Sequence, residues 1–303
     1  MNKVLIVSRQ KETYQRLIQQ AQLPQLEITD DPRLAAIILA DPPKIAAHLN
    51  DYPALCWLQS TFAGIDALTK PALRQDYTLT NIRGCFGQLI TEYVIGLTLA
   101  HTRHFALYQQ QQKHRQWQPH RYSALSNKTM VILGTGTIGS HLAQAAHTMG
   151  LRLIGVNRSG EPASHLFAHT YPLSELPQAL TQADILVSTL PATTATDNLL
   201  NATSLSHCQN TLLFNVGRGN AVCEEGLLSA IEQGHVAHAF LDVFKHEPLN
   251  NQHPFWQHPN ITITPHIAAE SFPEQVFDVF AANYLRFIQR QPLMYQIDFT
   301  RGY

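Results

Sequence analysis

Three polar side chains stand just beyond apolar runs in this 303-residue chain. Arg218 sits between two glycines in "FNVGRGNAV", Glu247 follows Asp242 by five residues in "FLDVFKHEPL", and His266 follows a proline in "ITPHIAAES". A guanidinium grips a carboxylate through parallel N–H groups. An imidazole moves protons near neutral pH, and a carboxylate beside it favours its charged form. Taken singly, each residue has a plain reading as a surface cation, a loop carboxylate or a helix cap. Open α/β sheets bind ligands outside the carboxyl ends of their strands, so the three are read together as one site.

A glycine pattern supplies a reason for that site. Gly134, Gly136 and Gly139 form G-x-G-x-x-G, with Thr137 and Ile138 inside it. "MVIL" precedes it as a strand, and "TIGSHLAQAAHTMG" follows as an amphipathic helix closed by Gly150. In that setting the first glycine makes the tight turn and the second admits a pyrophosphate. The third lets helix pack on strand, and the phosphates meet free N–H groups at the helix start. A dinucleotide site for NAD places an acidic residue at the end of the next strand, where it accepts the ribose hydroxyls and repels a 2′-phosphate. Here that place holds Asn157, followed by Arg158 and Ser159. The lost repulsion, with a cation and a hydroxyl at hand, predicts a preference for NADPH, with NAD as the alternative cofactor. Glu161, close by, opposes a strict choice.

The elements that must position these residues are short apolar runs alternating with amphipathic stretches. One series runs through "KVLIVS", "LEIT", "AAIILA", "ALCWLQS" and "YTLTNI"; a second through "TMVILG", "RLIGVN", "ADILVST", "TLLFNVG", "HAFLDVF" and "ITITP". Continuous apolar runs of this length suit strands covered on both faces, as in parallel sheets. The fold class is α/β, with two doubly wound parallel-sheet domains. A helix from Gln88 to about Gln112, with Leu89, Tyr93, Leu97 and Ala100 on one face, is expected to join them. A last helix over about 273–290 carries Val276, Phe277, Phe280, Tyr284 and Phe287 at helical spacing and is expected to return the chain to the first domain.

Composition narrows the function classes. A net charge of −1 gives no general pull toward nucleic acid or an anionic membrane. There is no run of 18 apolar residues to span a membrane. The N-terminal apolar run, Val4 to Val7, reads as a first core strand and not as a signal peptide. Cys56, Cys85, Cys208 and Cys223 are widely spaced, which fits reduced thiols in the cytoplasm. The pairs His101/His104 and His235/His238 lack further ligands at metal spacing, so no metal is expected.

With the nucleotide turn, the stretches "LPATTATDNLLN" (190–201), "NVGRGNAV" (215–222), "LDVFKHEPL" (241–249) and "TPHIAA" (265–270) follow in an order that resembles the D-isomer-specific 2-hydroxyacid dehydrogenases over nearly the whole chain. "PFWQHP" (254–259) and the terminal "RGY" are similar to the branch that reduces glyoxylate and hydroxypyruvate. The resemblance implies a flavodoxin-like substrate domain over 1–97 plus 275–303 and a Rossmann-type cofactor domain over 98–274. It implies reduction of a small 2-keto acid in which Arg218 binds the substrate carboxylate and polarises the ketone. His266 would protonate the carbonyl oxygen, and Glu247 would orient and stabilise the imidazolium. Pro191, Thr196, Val216, Gly217 and Asp242 match positions lining the cofactor. Ala63 and Gly64, in "LQSTFAGIDAL" (58–68), match a loop whose N–H groups hold the substrate carboxylate. A homodimer is implied, with 114–128 in its interface, and the formate dehydrogenase branch is set apart by its Gln at the place of Glu247. Arg83 reads as a surface cation, and Thr91-Glu92 in place of Ala-Glu carries no functional reading. A broader D-2-hydroxyacid dehydrogenase of the D-lactate type, or a nucleotide-sensing protein without turnover, are the alternatives.

Overall fold

A computed structural model describes residues 1–300, so the terminal "RGY" lies outside the described residues. The chain opens with β1 (Asn2–Val7), α1 (Lys11–Ala21), β2 (Leu26–Ile28), β3 (Ile37–Ala40), α2 (Pro42–Ile45), β4 (Trp57–Ser60) and β5 (Thr78–Thr80). It continues through α3 (Phe86–Thr102), α4 (Phe105–Lys113), β6 (Thr129–Leu133), α5 (Thr137–Thr148), β7 (Arg152–Asn157), β8 (His169–Pro172), α6 (Leu176–Leu180) and β9 (Ile185–Ser188). Then come α7 (Ala202–Leu205), β10 (Thr211–Asn215), α8 (Glu224–Glu232), β11 (Val236–Leu241), β12 (Ile261–Ile263) and α9 (Pro273–Ile288). Among the described residues no helix is long and apolar enough to cross a membrane.

Two compact units result: Met1–Cys85 with the segment from Ser271 onward, and Phe86–Glu270. The breaks fall at 85/86 and 270/271, not at 97/98 and 274/275. The physical reason is α3, which belongs to the second unit from its first turn. Ile90 and Val94 join the apolar cluster around Met130, Ile132 and Leu142. Gly87 lets α5 come close: a Cβ there would stand 2.8 Å from the β-carbon of His141. The expected single helix over 88–112 is also broken. Arg103 and His104 separate α3 from α4, and His104 turns into the left-handed region (φ 58°).

The first unit is built on a five-stranded parallel sheet of order β2-β1-β3-β4-β5, the flavodoxin-like arrangement. Ile38, Leu58 and Leu79 bury one face against Leu49 and Ile297. On α9, Phe280 and Phe287 stack on Trp57 at 5.3 and 5.5 Å between ring centroids.

The second unit has a seven-stranded parallel sheet, β12-β11-β10-β9-β6-β7-β8. Residues of the inner strands feed two cores, one on each face. Val131, Leu133, Ile154 and Val156 pack on one side with Leu176 and Leu227, while Met130, Ile132, Leu153 and Val187 pack on the other with Leu142. This two-faced burial is why the strands read as unbroken apolar runs. This unit starts at β6 and winds outward both ways, so the β6/β9 boundary is the point where the strand order reverses, the place at which open α/β sheets bind ligands beyond the carboxyl ends. β8 was not legible as a strand: "HTYP" is a short edge strand in which only Thr170 is buried.

Candidate active site

Because every strand of the second sheet is parallel, all the carboxyl ends lie along one edge. Gly134 follows β6, Asn157 ends β7, Pro191 lies just past β9, and Val216, Gly217 and Arg218 follow β10. Asp242 follows β11, and His266 lies three residues past β12. One architectural rule therefore brings residues more than a hundred positions apart to a common rim.

The glycine turn is shaped for a phosphate. Gly134 adopts φ +95°, and a Cβ on Gly139 would lie 2.0 Å from the Gly134 carbonyl oxygen, so both positions need glycine. At Gly136 the same test finds open space. No side chain caps α5 at Gly136, which leaves the first-turn N–H groups around Thr137 and Ile138 for an anion. These features fit the pyrophosphate of a dinucleotide.

Asn157 is committed within its own loop. Its amide nitrogen donates to Thr135 Oγ1 (2.9 Å) and to the Glu161 carbonyl (2.7 Å). Its oxygen accepts from the N–H groups of Ser159 (3.1 Å) and Gly160 (2.7 Å). An Asp there could make the accepting half of this pattern but neither donating bond. Asn157 thus folds residues 157–161 into a turn that leaves the Arg158 and Ser159 side chains exposed. Thr196, buried, closes the neighbouring loop by donating to the Pro191 carbonyl at 2.7 Å. In the first unit, the Ala63 carbonyl accepts from the Asn81 amide (2.8 Å), and Asn81 in turn accepts from Arg83 Nε (3.1 Å). Arg83 is exposed, as a surface cation is, and its hydrogen bond to Asn81 tethers it near the Ala63–Gly64 loop.

Glu247 and His266 form the pair expected of them. His266 Nδ1 meets Glu247 Oε2 at 2.7 Å, and the other carboxylate oxygen accepts from the Phe244 N–H at 2.9 Å. The hydrogen bond to Glu247 holds the imidazole above its ordinary value, with help from the charges of Glu247 and Asp242, against burial and the Arg218 charge. Burial pushes the Glu247 carboxyl up. The His266 and Phe244 bonds, with the His266 and Arg218 charges, more than offset it, and the net shift is downward. Arg218 is half-buried and its charge acts on both partners, which makes the three one electrostatic unit. Its Nη1 donates to the Gly217 carbonyl (2.7 Å), and its own carbonyl accepts from Asn215 (2.9 Å).

Gly219 ties the Arg218 turn to the Glu247 loop. A Cβ there would sit 1.9 Å from the Phe244 carbonyl carbon. Gly219→Ala is expected to cost about 1–3 kcal/mol or more, since backbone must move. A denaturant melt checks it, and an unchanged midpoint would show that the two loops are not locked together.

Residues 95–268 match the D-isomer specific 2-hydroxyacid dehydrogenase family, NAD binding domain. The chain belongs to this family. It is an oxidoreductase of the nicotinamide-dependent kind that acts on small 2-hydroxy or 2-keto acids. It is 36% identical over 218 residues to glyoxylate/hydroxypyruvate reductase A of Serratia proteamaculans, covering 71% of this chain and 69% of that protein. Its structure is similar to a D-isomer specific 2-hydroxyacid dehydrogenase family protein from Aeromonas salmonicida, at 44% identity and TM-score 0.94 over 98% of this chain and 99% of that one. It is also similar to an NADPH-dependent glyoxylate/hydroxypyruvate reductase from Sinorhizobium meliloti bound to NADP and sulfate, at 25% identity and TM-score 0.87 over the whole of both chains.

What the sequence did not offer is the support behind His266. Thr264 and Asp242 bind each other and the backbone of 266–268, and Tyr93 binds Thr264. Tyr93 was legible only as an apolar-face residue of a helix.

Proposed function

We propose that the chain is an NADPH-dependent reductase of small 2-keto acids, converting glyoxylate to glycolate and hydroxypyruvate to D-glycerate. The observation that carries this reading is the Glu247–His266 pair within the field of Arg218, on the sheet edge that also bears the glycine turn. The names of relatives at 36% and 34% identity support the choice of substrates.

When bound, the nicotinamide supplies a hydride to the keto carbon. The protein's residues do the rest. Arg218 binds the substrate carboxylate and draws charge toward the ketone oxygen, a task suited to a planar guanidinium. His266, with Nδ1–H donated to Glu247, presents Nε2–H and gives that proton to the carbonyl oxygen as it becomes an alkoxide. Glu247 keeps the ring oriented and charged until that moment. In the first unit, the Ala63 and Gly64 N–H groups are assigned to the substrate carboxylate. Gly134, Gly136, Thr137, Ile138 and Gly139 are assigned to the pyrophosphate, Arg158 and Ser159 to the 2′-phosphate, and Pro191, Thr196, Val216, Gly217 and Asp242 to the nicotinamide side. The units 1–85 with 271 onward and 86–270 are read as substrate and cofactor domains. A cytoplasmic homodimer completes the reading; a fully exposed Trp117 and an exposed Tyr122 within 114–128 favour that segment as its contact.

The test is a panel of 2-keto acids assayed with NADPH and with NADH, on the wild type and on Arg158→Ala. Glyoxylate and hydroxypyruvate are expected to lead the panel with NADPH preferred. Arg158→Ala is expected to raise KM for NADPH by about 10–100-fold while leaving NADH little changed, the loss of one charge-assisted contact of about 1.5–3 kcal/mol. A strong NADH preference, or a preference that Arg158→Ala leaves untouched, would overturn the cofactor assignment.

A further inference from the structure

His266 stands in a conformation that a non-glycine residue seldom takes. Its φ is +55°, in the left-handed region, three residues after the end of β12 and directly after Pro265. Such a backbone persists only where its surroundings over-determine it. Here Asp242, 2% exposed, supplies the restraint from β11. Its carbonyl accepts the His266 N–H at 2.9 Å, a donor shared with the Thr264 carbonyl at 3.0 Å. Its carboxylate accepts from the Ile267 N–H at 2.9 Å and the Ala268 N–H at 3.0 Å. Through its backbone carbonyl and its carboxylate, one buried residue thus holds His266 and the two residues after it.

The clamp is itself oriented from further away. Thr264 Oγ1 lies 2.6 Å from Asp242 Oδ1 and 2.7 Å from the hydroxyl of Tyr93 on α3. Proton counting fixes the direction of this chain. Both carboxyl oxygens of Asp242 accept backbone N–H groups, and the single hydroxyl proton of Thr264 goes to Asp242 as well. Thr264 must then accept from Tyr93, whose phenol is the donor. Burial foremost, together with the Asp242 charge and against the bond to Thr264, pushes the Tyr93 hydroxyl up to about 12, so it keeps that proton throughout the working range. The order is Tyr93 O–H to Thr264 O–H to Asp242, and aligned hydrogen bonds of this kind polarise and strengthen one another.

We propose that Thr264 is a positioning residue for the proton donor, its hydroxyl holding Asp242 and hence the strained His266 backbone in the one arrangement that sets the imidazole on Glu247, with Tyr93 as the outer member of the relay. The proposal rests on His266 serving as the proton donor. The groups whose charges act on the imidazole are Glu247, Arg218 and Asp242, and the relay touches only the last of them directly. Loosening it lengthens the His266–Glu247 contact without removing any group from the site.

The experiment pairs kinetics with a titration that needs no turnover. Thr264→Val, Thr264→Ser and Tyr93→Phe are compared with wild type for kcat and KM on hydroxypyruvate with NADPH. The His266 ring proton resonance, assigned by its loss in His266→Gln, is followed against pH in each. Thr264→Val is expected to lower kcat on the order of 10²-fold, as a displaced catalytic group does, with little change in the KM for NADPH. It is expected to move the His266 titration to lower pH. Thr264→Ser restores both, and Tyr93→Phe moves both by a smaller amount in the same direction. Wild-type kcat and titration in Thr264→Val would overturn the proposal, as would equal damage from Val and Ser. If Thr264→Val does not fold, an unmoved titration in Tyr93→Phe overturns it. Failure of the wild type to turn over any 2-keto acid would sink the proposed function instead, while the titration would still report on the clamp.

Discussion

His266→Ala is expected to lower kcat for 2-keto acid reduction by about 10²–10⁴-fold, the usual contribution of a placed general acid. The loss should fall on kcat and leave the KM for NADPH near its wild-type value, because Nε2 acts on the substrate oxygen. The pH profile carries the finer test. Reduction uses the protonated imidazole, so activity is full below the pKa of His266 and falls as pH rises through it. The bond to Glu247 raises that pKa, which places the fall at higher pH than an unperturbed histidine would give. Glu247→Gln keeps the shape and removes the charge, so the limb should move to lower pH and kcat should drop. A limb that stays in place would contradict the coupling that the 2.7 Å contact implies.

Arg218→Gln is the second large effect. Arg218 is assigned two tasks, binding the carboxylate and stabilising negative charge on the ketone oxygen. Removing one such donor costs about 10²–10³-fold in rate. Here KM for the keto acid should rise as well, because the ground-state carboxylate contact is lost too. Arg218→Lys should recover little, since a point charge replaces a planar fork. Arg218 also lowers the pKa of His266, so in Arg218→Gln the alkaline limb should move up. Steady-state kinetics across pH read both consequences. A variant with raised KM but unchanged kcat would reduce Arg218 to substrate binding alone.

Sequence made the sheet and the site legible for one reason: parallel strands buried on both faces read as apolar runs, and polar residues just past those runs are few. Arg218, Glu247, His266 and the glycine turn all stand in such places. The break between α3 and α4 was not legible, because neither Arg103 nor His104 carries the glycine or proline signal of a helix end. β8 escaped because an edge strand needs few apolar residues. Asn157 read as the absence of an acid, whereas the structure shows an amide using both its donors and its acceptor to build the loop. The bond from Tyr93 to Thr264 spans 171 residues, and no local pattern records such a partner.

One measurement bears most directly on the proposed chemistry: chiral analysis of the glycerate formed when the purified protein oxidises NADPH with hydroxypyruvate. D-glycerate, formed in step with NADPH consumed and about 10²–10⁴-fold more slowly with His266→Ala, is the expected result. L-glycerate, or binding of NADPH with no glycerate at all, would contradict it.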